Sequence, residues 1–244
     1  MSHATDTLAI RPASTRGHTR LGWLDSYHTF SFGDYRDLDH MGFHTLRVIN
    51  DDTVAPGGGF IEHGHRNMEI LTWLLDGELE HADSLGHRSV LRHGELQAMT
   101  AGHGIRHSEL NASLTRPVHF LQVWIQPRTQ NLPPDYDQKL FDPASRHNQF
   151  CLIASPDGRD ESLIIQQEAD IRVGEFDAGH RFTFQVAHHR CAWLHVARGQ
   201  LHVNDQTVGT GDGVAVLKSL DLRLEMQTVT ELLLFDLGVS GDAA

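Results

Sequence analysis

Three histidines and one glutamate in the first half of the chain have the spacing that a metal site on β-strands needs. One residue separates His63 from His65, and one residue separates His107 from Glu109. Side chains two residues apart in a strand point to the same face, so each pair can present two ligands together. If the two strands are neighbours, three imidazoles and one carboxylate can bind one metal and leave one or two coordination positions open. The sequence therefore predicts a mononuclear metal site.

The chemistry of such a site follows from its donors, although the donors do not select the metal. Imidazole together with carboxylate suits Fe, Mn, Ni, Co and Zn. A substrate hydroxyl at an open position would have its pKa lowered by Lewis-acid polarisation. Glu109 is the candidate acceptor of that proton, because a carboxylate at a metal can act either as a ligand or as a base.

The elements that position these residues are expected to be short β-strands. Runs of apolar residues separated by glycine turns fill both halves, and only short polar pieces near 134–147 interrupt this style. Many short strands at regular spacing favour an all-β sandwich or barrel. The clearest strand predictions lie at 43–50, 69–75, 118–125, 181–187, 193–197 and 231–237.

A chain of 244 residues is long enough for two domains. Four of the eight prolines lie within 127–150, where little periodicity is visible, and this composition indicates an irregular connection. The predicted organisation is an N-terminal metal-binding domain at 1–130, a linker at 131–150, and a C-terminal domain without a metal site at 151–244.

The two halves also resemble each other, which predicts a duplicated β-barrel. TWLLDGELEH around Gly77 matches LHVARGQLHV around Gly199, and GELQAM from Gly94 matches GDGVAV from Gly211. When these matches are extended, the four candidate ligand positions fall on Gln185, Ala187, Leu224 and Met226. This second set cannot reproduce the first, so we expect one metal per chain.

Composition narrows the class of protein. Lys+Arg 20 against Asp+Glu 32 gives a formal charge of −12, and no basic run is present, so direct binding to nucleic acid or to an anionic membrane is not expected. The two cysteines do not form a disulfide scaffold or a cysteine-based zinc finger. The sequence lacks a signal-peptide core and a membrane-spanning run, and a cytoplasmic protein is expected.

Longer segments resemble the pirin family of the cupin superfamily. The spacing of Gly57, His63, His65, Glu69 and Gly77 matches the first cupin motif with one extra residue before the last glycine. The second cupin motif, in its pirin form, is similar to GELQAMTAGHGIRHSE at 94–109. The stretches GWLDSYHTFSFGDY at 22–35 and MGFHTLRVINDD at 41–52 extend the resemblance over the whole first domain. The chain looks most like the bacterial branch described as quercetin 2,3-dioxygenases, and its second half resembles the family more loosely.

This resemblance implies a bicupin, two jelly-roll-like β-barrels in tandem. It also implies one divalent metal ion per chain in the N-terminal barrel, bound by the residues that match His63, His65, His107 and Glu109. Glu69 is then expected to be structural rather than a ligand. Iron is the expected metal, with zinc, manganese, nickel and cobalt as alternatives.

The implied activity is that of a metal-dependent dioxygenase, an oxidoreductase of the quercetinase type. Its substrates would be dioxygen and a small aromatic, flavonol-like molecule, whose ring it would open with release of carbon monoxide. Glu109 would be the catalytic base. Two alternatives remain: a metal-bearing regulatory or sensor protein that acts through protein partners without turnover, and a storage or structural bicupin.

The other histidines are weaker candidates for functional residues. His28 alternates with apolar neighbours and is expected to be packed or hydrogen-bonded. His81, His87 and His93 flank a polar hairpin, which is typical of a solvated sheet edge. His103 is not expected to have a functional role.

Overall fold

Alternating and continuous apolar runs give an almost purely β structure. The structure is a computed structural model that describes residues 7–239. In chain order the first twelve strands are β1 (Leu8–Arg11), β2 (Gly17–Arg20), β3 (Leu24–His28), β4 (Leu46–Val54), β5 (Gly59–His65), β6 (Glu69–Asp76), β7 (Glu78–Asp83), β8 (Arg88–Arg92), β9 (Glu95–Thr100), β10 (Ile105–Asn111), β11 (Val118–Ile125) and β12 (Asp135–Leu140). The predicted all-β class is confirmed.

The second half continues in the same style. Its strands are β13 (Cys151–Ser155), β14 (Leu163–Ile164), β15 (Ala169–Phe176), β16 (Arg181–Val186), β17 (Arg190–Arg198), β18 (Gln200–Val203), β19 (Gln206–Gly209), β20 (Gly213–Val216), β21 (Leu220–Met226) and β22 (Thr230–Gly238). Within residues 7–239 the helical elements are α1 (Pro143–Arg146) and two 3-10 turns at Ala13–Thr15 and Arg159–Glu161. No helix in this described range is long and apolar enough to cross a membrane.

One unit comprises residues 16–142 and 154–167. Its two sheets have the strand orders β12-β9-β6-β11-β4-β3-β2 and β5-β10-β7-β8. Buried apolar side chains from both sheets pack together in a jelly-roll-like arrangement, as in the cluster that contains Leu74, Leu79, Leu91 and Phe120. Every residue of β6 from Glu69 to Leu75 is buried, which is why its sequence is a nearly continuous apolar run.

The other unit comprises, among the described residues, 7–15, 143–153 and 168–239. Its strands form the orders β1-β20-β17-β22-β15-β13 and β16-β21-β18-β19. β1 belongs here because Leu8 pairs with Val216 and Arg11 pairs with Gly213. Each unit is thus built from separate stretches of the chain, whereas the predicted ranges 1–130 and 151–244 are each one continuous stretch.

The segment 131–150, expected to be irregular, contains β12 and α1. In β12 the odd-numbered residues Asp135 and Asp137 are exposed, whereas Tyr136 and Gln138 are half-buried, so this strand presents one face to the protein. It pairs with β9 along its whole length, from Asp135 with Thr100 to Leu140 with Glu95. Exposed and half-buried residues alternate in β12, but most of them are polar, so apolar runs did not predict this strand.

Candidate metal centre

Strand pairing brings the three candidate histidines together. β10 runs antiparallel to β5, with His107 opposite His63 and Ile105 opposite His65. The ring centroids are 4.7 Å apart for His63 and His65, 4.5 Å for His63 and His107, and 4.9 Å for His65 and His107. One nitrogen of each ring lies within 4.8 Å of the others. Three imidazoles therefore converge on a single point.

His107 shows most directly that this point suits a metal. Its side chain is 1% exposed, and neither of its ring nitrogens has a hydrogen-bond partner within the described chain. An unsatisfied buried polar group costs about 1–3 kcal/mol, so such groups usually have a partner. A metal ion bound at one of these nitrogens would supply a partner for that nitrogen.

His63 is oriented by a backbone contact. Its Nδ1 lies 2.8 Å from the carbonyl oxygen of Ile61. A carbonyl oxygen only accepts, so Nδ1 carries the hydrogen and Nε2 keeps its lone pair. Hydrogen bonds of this kind fix the tautomer and the ring direction of metal-binding histidines.

Burial also keeps the other two rings in the form that binds metals. It lowers the pKa of His65 to about 4, with a smaller contribution from nearby His63. It lowers the pKa of His107 to about 2, with further contributions from His63 and His65. Both rings are therefore neutral near pH 7, and a neutral imidazole is the form that ligates a metal.

Glu109 lies next to this cluster and is held by hydrogen bonds. The residue is 1% exposed, and its Oε2 accepts from Gln122 Nε2 at 2.7 Å. The Thr72 hydroxyl lies 3.2 Å from its Oε1. Burial raises the pKa of Glu109 to about 7, and these hydrogen bonds oppose that rise. A carboxyl group with this pKa can accept or release a proton near neutral pH.

The ligand atoms of the four predicted residues do not form one close group. A Glu109 oxygen lies within 4.8 Å of nitrogens of His81 and His107, whereas the group that includes His63 and His65 is completed by His107 alone. The structure therefore assembles the three histidines and places Glu109 on the His107 side of them.

The interpretation of His81 as a solvated edge residue is wrong. Its side chain is 0% exposed, and it lies on β7 directly opposite Glu109. Its Nε2 is 3.2 Å from Asp83 Oδ2, and the Tyr136 ring stacks on it with centroids 4.5 Å apart. The sequence did carry a signal, since Leu79 and His81 alternate with half-buried residues and so share the inward face of β7. His87, by contrast, is 43% exposed.

Two further residues from the motifs stand apart from the cluster. Glu69 is buried on β6, where its Oε2 accepts from the Thr100 hydroxyl at 2.8 Å and from the Gln166 backbone N–H at 3.1 Å. These bonds tie strands and loop together, as expected of a structural residue. His103 is exposed in the turn before β10.

The histidines open onto a cavity with apolar walls. A cavity of about 200 Å³ is bordered by His63, His65 and Glu109, and its apolar lining includes Leu24, Phe32, Phe60 and Trp124. An adjoining cavity of about 520 Å³ shares part of that lining and adds Trp23 and Ile61. Ligand sites commonly combine such apolar walls with a few convergent polar groups.

A row of polar side chains crosses the inner face of the larger sheet beneath this cavity. His28 pairs with Asn50, Asn50 with Gln122, Gln122 with Thr72, and Thr72 with Gln97. His28 is buried and hydrogen-bonded, as expected, with its Nδ1 2.8 Å from Asn50 Oδ1. Its place on the cavity wall was not foreseen.

The other unit has no such histidine group among residues 7–239. Leu201 pairs with Met226 in this unit, and Leu79 pairs with Asn111 in the first unit. When these two pairs are taken as equivalent, Leu224 is the counterpart of Glu109. The remaining counterparts, from the pairing of β16 with β21, are Phe184, Val186 and Leu222. They belong to or pack against a large apolar cluster. The residues predicted from fixed offsets were therefore displaced by one or two positions, but apolar side chains do occupy the corresponding interior.

Both halves of the chain match models of known protein families. A family model described as Pirin matches residues 9–125, and one described as Quercetinase C-terminal cupin domain matches residues 152–237. A protein from Escherichia coli (strain K12) named quercetin 2,3-dioxygenase is 42% identical over 228 residues, which cover 93% of this chain and 97% of that protein. A pirin-like protein from Caulobacter vibrioides is 33% identical and covers 93% and 97%.

A solved structure agrees with these matches. The bacterial pirin YhhW from Escherichia coli, in complex with nickel(II), superposes with a TM-score of 0.90 at 41% identity. The superposition covers 95% of this chain and 99% of that one. The predicted arrangement of two cupin barrels is confirmed.

Proposed function

The chain belongs to the pirin family, and from that premise we propose that it is a metal-dependent dioxygenase of the quercetin 2,3-dioxygenase type. The observation that carries the proposal is the buried His107, whose two ring nitrogens have no partner within the described chain, beside His63 and His65 at the wall of an apolar cavity. The name of the relative at 42% identity supports an oxidoreductase of this kind.

We propose that His63, His65 and His107 hold one divalent metal ion, with Glu109 as the fourth ligand or as its close neighbour. Nickel(II) in the pirin of Escherichia coli supports metal binding at this fold. Iron, the metal expected from the family resemblance, remains a prediction alongside nickel. When bound, the metal would supply Lewis acidity toward a hydroxyl oxygen of the substrate.

The chain's own residues then have distinct tasks. The apolar walls, among them Phe32, Phe60 and Trp124, bind a flat aromatic molecule and exclude water from it. Glu109 accepts the substrate's hydroxyl proton at a carboxylate oxygen, because its carboxyl group borders the cavity and lies beside His107. Gln122 holds that carboxylate in place by donating a hydrogen bond of 2.7 Å.

The overall reaction proposed is oxidative ring opening of a flavonol. Both atoms of dioxygen enter the product, and one ring carbon leaves as carbon monoxide. A flavonol fits the site because it joins a hydroxyl beside a carbonyl to a flat, mostly apolar ring system.

The test begins with metal analysis of the purified protein. That metal is then restored to the metal-free protein, and quercetin is added under air and under nitrogen. We expect quercetin consumption, oxygen uptake and carbon monoxide release in equal amounts under air, and none of these under nitrogen. If the loaded protein does not consume quercetin but binds a protein partner only when metal is present, the sensor function replaces this proposal.

A further inference from the structure

The cavity has a second group of polar side chains, set apart from the histidines. Ser26, His28, Asn50 and Asp52 line it from strands β3 and β4. None of them belongs to the proposed metal centre. A few polar groups that face an otherwise apolar cavity commonly bind and orient a ligand, so these four residues are candidates for ligand contact.

Asp52 is the most informative member. It is 2% exposed and lies opposite Ser26, whose side chain hydrogen-bonds to its carboxyl group. Its Oδ1 has no hydrogen-bond partner within the described chain. A carboxyl oxygen left without a donor inside a protein is costly, and a hydroxyl group on a bound ligand would supply that donor.

Asn50 offers the complementary group beside it. Its Oδ1 is 2.8 Å from His28 Nδ1, and the Thr19 hydroxyl lies 2.8 Å from His28 Nε2. These contacts fix the direction of the Asn50 amide and use its oxygen, which leaves the amide nitrogen as a donor. A ligand hydroxyl could therefore donate to Asp52 and accept from Asn50.

The strand register sets the separation of this group from the proposed base. Asn50 pairs with Gln122, and Gln122 donates to Glu109. Neighbouring strands lie about 4.8 Å apart, so Asn50 is one strand spacing from the residue that holds Glu109. His63, His65 and Asp52 border the same cavity, so a two-part aromatic molecule with one ring at the histidines would bring its other ring toward Asp52.

We propose that Asp52 and Asn50 form a hydroxyl-recognition subsite that selects aromatic substrates carrying a phenolic hydroxyl on the ring away from the histidines. This inference rests on the proposed function, and it narrows the substrate class from flavonols in general to those hydroxylated on the second ring. The residues of the metal centre would then position the reacting ring, and Asp52 would set specificity.

The experiment compares two flavonols that differ only at that ring. Quercetin carries two hydroxyls there, and galangin carries none. Equilibrium binding to the nickel(II)-loaded protein is measured by tryptophan fluorescence without oxygen, so that no turnover occurs. The variants are Asp52→Leu, which removes the acceptor, and Asp52→Asn, which keeps one oxygen. Asp51→Asn is the matched control, because Asp51 is the adjacent strand residue and contacts Arg16 and His119 rather than lining the cavity.

We expect the wild type to bind quercetin about 3- to 10-fold more tightly than galangin, the range of one ordinary hydrogen bond. Asp52→Leu should lower quercetin affinity to that of galangin and leave galangin affinity unchanged. Asp52→Asn should retain part of the difference, and Asp51→Asn all of it.

Three results would overturn the subsite. Equal affinity of the wild type for both flavonols would do so without any variant, and if both are still oxidised the proposed function stands. Equal weakening of both flavonols by Asp52→Leu would assign Asp52 a structural role only. If neither flavonol binds or is oxidised, the proposed function and the subsite fall together.

Discussion

Gln122 and Glu109 are joined by a hydrogen bond of 2.7 Å from the Gln122 amide to Glu109 Oε2, at the point where the polar row of the sheet meets the candidate metal centre. Both residues are buried, and Thr72 contacts both of them. Burial raises the pKa of Glu109 to about 7, while the donated hydrogen bonds hold it lower than burial alone would. The protonation of Glu109 is therefore coupled to the stability of the metal-free protein.

The first prediction concerns that stability. The folded protein holds the Glu109 proton more tightly than the unfolded chain does, because the pKa rises from 4.5 to about 7 on folding. The contribution of Glu109 to stability is therefore fully present below about pH 4.5 and is lost as pH rises toward 7, by about 3 kcal/mol in total. Urea unfolding of metal-free wild type and Glu109→Gln between pH 4.5 and 8 measures the difference. The exposed Glu62 serves as the control through Glu62→Gln, and a wild-type curve parallel to that of Glu109→Gln would contradict the prediction.

The second prediction concerns metal stoichiometry. We expect one equivalent of divalent metal per chain and loss of that metal in His63→Ala, since removal of one imidazole leaves two in the cluster. Gln185→Ala in the other unit should keep its metal, because Gln185 is exposed and the interior of that unit is apolar. Elemental analysis after dialysis measures both variants. Two equivalents per chain, or equal metal loss in both variants, would show that the site is elsewhere or duplicated.

The third prediction separates ligand from base at Glu109. Glu109→Gln keeps the shape and a carbonyl oxygen but removes the charge, so metal should bind more weakly yet remain. If Glu109 takes the substrate proton, turnover by the reconstituted variant should fall by about 10²–10⁴. The deficit should shrink as pH rises toward the pKa of the substrate hydroxyl, where ionisation needs no base. Turnover is measured against pH at saturating metal, and a deficit that does not change with pH would limit Glu109 to a ligand role.

The fourth prediction concerns the fit between β5 and β10. Gly59 has a φ of +149°, and a Cβ there would lie 2.4 Å from the Glu109 backbone oxygen. Gly59→Ala should push β5 away from β10, separate His63 from His107, and weaken metal binding at least about tenfold while destabilising the fold by about 1–3 kcal/mol. Gly64→Ala on the same strand is the control, because its nearest contact would be 3.7 Å away. Metal titration and thermal unfolding compare the two variants, and unchanged affinity in Gly59→Ala would refute the argument.

Local spacing made part of the site predictable. One intervening residue between His63 and His65, and between His107 and Glu109, places each pair on one face of a strand whatever the rest of the chain does. The resemblance to pirins then supplied the link between the two strands. Apolar alternation did not predict β12, because its half-buried positions are polar and its apolar content is low.

The sequence by itself determined the strand periodicity, the all-β class and the two candidate ligand pairs. Only the tertiary structure decided which strands are neighbours and in what register, since pairing between distant segments depends on loop lengths and cross-strand packing that no local pattern encodes. That non-local register places His107 opposite His63, buries His81 opposite Glu109 and sets Asp52 into the cavity wall. It also joins β1 to β20, more than two hundred residues away in the chain, and displaces the counterparts of the ligands from the positions that a fixed offset predicts.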